Sequence, residues 1–71
     1  MSYNDVWDRF NDMVINHSHR PGIVAIATVV DEDAQNYLRR NPSSIDDNGQ
    51  IVDKGLSTIY ENGISDAMKF I

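Results

Sequence analysis

Ile23-Val24-Ala25-Ile26-Ala27-Thr28-Val29-Val30 is the stretch on which the fold turns. It is apolar and rich in β-branched side chains, as a buried strand would be. A run of eight cannot be assigned by its period alone. The residues C-terminal to it decide the matter. Ile23, Ile26, Ala27, Val30, Ala34, Tyr37, Leu38 and Asn41 step by three and four along one helical stripe. The boundaries agree with a helix. Pro21 falls in the first turn, where its missing N–H costs nothing. Arg39 and Arg40 fall in the last turn, and Asn41-Pro42 stops it. Read as a helix, the segment makes the chain all-α. Read as a strand over residues 23–30, it makes an α+β fold instead, and the helix is the reading adopted.

The flanking segments repeat the helical period. Tyr3, Val6, Trp7, Phe10, Met13, Val14 and His17 share one face, which predicts a helix over 3–17. Ser2 can cap its start, with Asp5 three residues on as in a capping box. Pro21-Gly22 closes this first segment. Beyond the second segment comes a polar connector, residues 41–49, with the turn signal Asn48-Gly49. Val52, Leu56, Ile59, Tyr60 and Gly63 then form another stripe, and Ile64, Ala67, Met68 and Ile71 continue it with a small offset. Gly63 is expected to cap one helix or kink a longer one. The expected architecture is one domain, residues 1–71, folded as a three-helix bundle with room for a short fourth helix.

Size and composition narrow the function. A chain of 71 residues buries about 60% of its unfolded surface. Its core supplies about 3–5 kcal/mol without a disulfide or metal staple. There is no cysteine. Apolar residues at 41% and charged residues at 24% match a folded globular chain. The net charge of -5 disfavours direct binding to nucleic acid or to an anionic membrane. The polar, acidic start Met1-Ser2-Tyr3-Asn4-Asp5 lacks the pattern of a secretory signal, so the expected location is the cytoplasm. Eight Ile against two Leu, with seven Asn, is a bias of the kind an AT-rich genome produces, as in many phages.

No catalytic constellation emerges. No serine stands in a strand–turn–helix elbow, and no glycine-rich phosphate loop is present. Asp31-Glu32-Asp33 and Asp46-Asp47 are runs, and adjacent helical positions point apart. With Gly49 at the sixth position of a calcium loop, Asp46 and Asn48 fill the third and fifth. The first is then Ser44 and the twelfth Gly55, so two strong ligands are missing and a solvated turn is expected. His17 and His19 lack a third ligand at suitable spacing. Trp7, Phe10 and Met13 read as core. The chain is therefore expected to be no enzyme and to hold no cofactor or metal.

Three functions remain. The first is a protein-binding module, such as a small regulator or inhibitor of the phage accessory kind, that occupies a partner protein's surface. The second is an acidic nucleic-acid mimic using Asp5, Asp8, Asp12, Asp31 and Asp33. The third is a subunit that assembles with itself. Val24, Ala25, Thr28 and Val29 lie off the main stripe, so the first two turns of the second helix are apolar nearly all round. These four, with Phe70 and Ile71, are the candidate interface, and a homodimer through the second helix is the simplest way to cover it.

The ligand count predicts that neither calcium nor zinc raises the melting temperature. A ligand at a hundred times its Kd stabilises by about 2.7 kcal/mol. A clear upward shift with calcium would restore the Asp46–Ile51 turn as a site.

Overall fold

A computed structural model describes residues 3–71. Its elements run α1 (Asn4–Asn16), α2 (Pro21–Arg40), a 3-10 turn (Pro42–Ser44), α3 (Lys54–Ala67) and a last 3-10 turn (Met68–Phe70). The fold is an all-α three-helix bundle, and residues 23–30 are helical. Among the described residues no helix is long and apolar enough to cross a membrane.

Each helix ends where local chemistry requires it. The expected Ser2 cap lies outside the described residues, while Asp5 occupies the first turn of α1 beside the positive end of its dipole. In α2, Arg20 is extended and Pro21 opens the helix. The Asn41 backbone and side-chain N–H groups both donate to the Tyr37 carbonyl at the other end, at 2.9 and 3.1 Å. Asp53 caps α3 by accepting from the Gly55 N–H at 3.3 Å.

The core gathers Val6, Phe10 and Met13 from α1, Ile23, Val30 and Ala34 from α2, and Leu56, Tyr60 and Ala67 from α3. Phe10 and Tyr60 pack at a tilt, with centroids 5.3 Å apart. Arg9 reaches across from α1 to Glu61 at 2.6 Å, and this pair is exposed.

Four features differ from the sequence reading. Trp7 is 44% exposed and not core. The seam of α1 that packs inward is Val6, Phe10 and Met13, so Trp7 rides on its flank, and its bulk makes full burial uncommon. Val52 is exposed and precedes α3, whereas Ile51 beside it is buried. Ile51 is held by main-chain bonds: it pairs with Ile45 in an isolated antiparallel bridge, and its carbonyl accepts from the Tyr3 N–H at 2.8 Å. Gly63 neither ends α3 nor marks a boundary, because the helix runs through it. The C-terminal residues form one 3-10 turn and not a fourth helix.

Gly63 has a packing reason instead. A Cβ there would fall on Val30 Cγ2 and meet Phe10 Cε1 at 3.5 Å. Two turns earlier, a Cβ on Gly55 would fall on the Tyr37 hydroxyl. These two contacts fix α2 and α3 as antiparallel neighbours at close range.

Gly63→Ala should therefore destabilise the protein, although alanine is the better helix former by about 1 kcal/mol. Overpacking costs about 1–3 kcal/mol, and a β-branched valine cannot swing aside. The net loss expected is on the order of 1 kcal/mol, read from the urea midpoint. In a Val30→Ala background the same substitution should become neutral or stabilising. A stabilising effect in the native background would mean that the two helices are not in contact at this point.

Candidate apolar face and groove

The helical period that buries Ile23, Val30 and Ala34 turns Val24, Ala25, Thr28 and Val29 outward. All four are exposed, Val24 at 45% and Val29 at 55%. The Thr28 hydroxyl donates to the Val24 carbonyl at 3.0 Å. Its polar atom is thus satisfied within the helix, and the surface it leaves is largely methyl.

This strip adjoins a groove of about 310 Å³ between α2 and α3. Ile26, Val29 and Val30 form the α2 wall, with Ala25 at its lip, and Ile59 and Gly63 form the α3 side. Its polar members are Asp33, Asn62 and Asp66. The antiparallel register set by Val30–Gly63 and Tyr37–Gly55 places Asp33 toward one end and Asp66 toward the other. Asp66 has an exposed contact with Lys69 at 3.8 Å.

Phe70 and Ile71, the remaining candidate interface residues, are also exposed. The Phe70 ring lies against Gly22, and the Arg20 guanidinium donates to the Phe70 carbonyl at 3.1 Å. The C-terminus thus folds back onto the start of α2 but leaves Val24 and Val29 open.

The candidate acidic residues Asp5, Asp8, Asp12, Asp31 and Asp33 are all exposed. Asp5 pairs with Arg9 at 3.2 Å. Asp5, Asp8 and Asp12 share one flank of α1. Asp31 and Asp33 lie about 200° apart around α2, so they do not share a face. Asp33 borders the groove, whereas Asp31 acts on Tyr60. Burial raises the Tyr60 pKa most, the Asp31 charge adds to it, and a hydrogen bond with Trp7 works in the opposite direction.

Trp7 covers a second, smaller recess of about 170 Å³ with Ile45, Ile51, Leu56 and Tyr60. The Asp46 carboxylate accepts from the Asn48 and Gln50 N–H groups at 2.9 and 2.8 Å, which closes the turn containing Gly49 at φ 77°. Among the described residues no three His, Asp or Glu side chains are grouped to hold a metal.

One polar cluster escapes a reading of the sequence because its members are far apart in the chain. The Tyr37 and Ser44 hydroxyls both donate to Asp53 Oδ2, the second at 2.9 Å. Tyr37 most of all, then Ser44, pulls the Asp53 carboxyl below its ordinary range, and the Gly55 N–H adds to this. The same bond to Asp53 raises the Tyr37 pKa, with burial adding to it. These bonds join α2, the connector and α3.

No protein-family model matches the chain, and neither a curated protein nor a solved structure is significantly similar to it.

A carboxyl whose folded pKa is lowered contributes stability above its unfolded pKa, and that contribution is lost as pH falls through the folded value. Asp53→Asn should therefore lower the urea midpoint at pH 7, with the gap narrowing from about pH 4 downward. The raised Tyr37 pKa has the opposite sense: its contribution is full below the ordinary tyrosine value of about 10 and is lost as pH rises through the higher folded value. A gap between native and Asp53→Asn protein that is constant across the acid range would show that the carboxylate charge does not matter.

Proposed function

We propose that the protein is a non-enzymatic protein-binding module, a small cytoplasmic regulator or inhibitor, that presents the outer face of α2 and the adjoining groove to a partner protein. The observation that carries this reading is the exposure of Val24, Ala25, Thr28 and Val29 as one strip beside an apolar groove. A bundle this small needs its large aliphatic side chains inside, and a contiguous exposed set beside a concavity is characteristic of an interaction surface. The mimic reading has less support, since Asp31 and Asp33 diverge around α2. An assembly subunit would use the same strip against a second copy.

Val29→Asp separates the cases. At an exposed position it should change stability by no more than about 0.5 kcal/mol. It should abolish retention of the partner by the immobilised protein. A native dimer in light scattering that Val29→Asp splits would identify the partner as a second copy. Strong destabilisation of a monomer by Val29→Asp would mean the strip is covered within the chain, and the reading would fail.

A further inference from the structure

Resting on the reading of this face as a docking surface, we propose that the α2–α3 groove receives an amphipathic helix of a partner protein with a basic residue at each end of a two-turn apolar stretch. The walls specify a helix. Both are helical ridges, and a third helix seats in the furrow between two others, completing a four-helix arrangement. A partner segment adding as a β-strand would need a sheet edge to pair with, and the described residues hold only the Ile45–Ile51 bridge.

The length is set by the α2 wall. From Ala25 to Asp33 is eight residues, or about 12 Å of helix. That is two turns, enough for apolar anchors one turn apart against Ile26, Val29, Val30 and Ile59.

The charges specify the ends. No Lys, Arg or His lines the groove, and a carboxylate stands toward either end, Asp33 on one wall and Asp66 on the other. The Asp33 carboxylate has no hydrogen-bond or ion-pair partner among the described residues. Asp66 is met only by Lys69 across 3.8 Å, with both side chains well exposed, a contact that solvent screens. The whole chain at -5 adds a long-range preference for a basic partner. A second copy fits less well. Its own α2 carries Asp31-Glu32-Asp33 directly after the apolar strip and would bring that run to a groove already bounded by acid.

The test is a displayed library of random peptides about 14 residues long, four turns of helix. It is selected on the native protein after depletion on Val29→Asp. Enriched peptides should carry apolar residues at helical spacing between Lys or Arg placed about seven or eight positions apart. For a synthesised winner, Asp33→Asn with Asp66→Asn should weaken binding by about 2- to 30-fold, the range for two exposed ion pairs. Added salt should act in the same direction. Asp8→Asn on α1 should leave binding unchanged. Enrichment of peptides with neutral or acidic ends, or indifference to the paired Asp33 and Asp66 changes, overturns the basic-helix assignment while leaving the docking face in place. A native dimer split by Val29→Asp overturns it in favour of a second copy. Failure to enrich any peptide after depletion on Val29→Asp overturns the assignment outright. Native protein in which Val29→Asp alters no binding at all removes the underlying reading of the face as well.

Discussion

Gly63 against Val30 is the contact on which the arrangement depends. A side chain at Gly63 would occupy the space that Val30 fills, so the backbone of α3 can approach α2 only because it is absent there. Gly55 does the same for Tyr37 two turns away. With both contacts made, α2 and α3 run antiparallel, and Ile23, Val30 and Ala34 are buried. The hydroxyl of Tyr37 also reaches Asp53, which caps α3 and holds Ser44. One seam thus fixes the pairing of two helices, the entry into α3 and the course of the connector.

The same seam leaves a remainder. A helix has a full circumference, and among the described residues only two other α-helices, α1 and α3, are there to lie against it. Core formation uses the side of α2 that faces α3. The outer side keeps Val24 and Val29 in solvent, beside a furrow lined by Ile26, Val29, Val30 and Ile59. The candidate site is therefore a consequence of how the core is built. A further helix placed there would bury aliphatic surface at about 25 cal/mol per Å², a useful gain for a core this small.

The fold is legible where a period extends beyond a single element's ambiguity. Residues 23–30 alone fit a strand, but Ala34, Tyr37 and Leu38 keep the same stripe, and Pro21 and Asn41-Pro42 bound it. The outward strip is legible for the same reason, since residues off a buried stripe must face elsewhere. Trp7 misleads because hydrophobicity does not imply depth, and α1 buries only a narrow seam. Ile51 and Val52 exchange places because the helical period stops short of a segment held by main-chain bonds. Asp53 lies 9 residues from Ser44 and 16 from Tyr37, and no periodicity joins the three. The close approach of α3 to α2 depends on a glycine inside a helix, which composition alone suggests is a break.

The outer face of α2 is open to solvent, with Val24 and Val29 about half exposed. Solvent paramagnetic relaxation of methyl resonances, with an inert soluble probe at low and high protein concentration, reads this directly. Strong broadening of the Val24 and Val29 methyl groups is expected at both concentrations, with Ile23 and Val30 protected. Protection of Val24 and Val29 equal to that of Ile23 at low concentration would show instead that the chain itself covers the face.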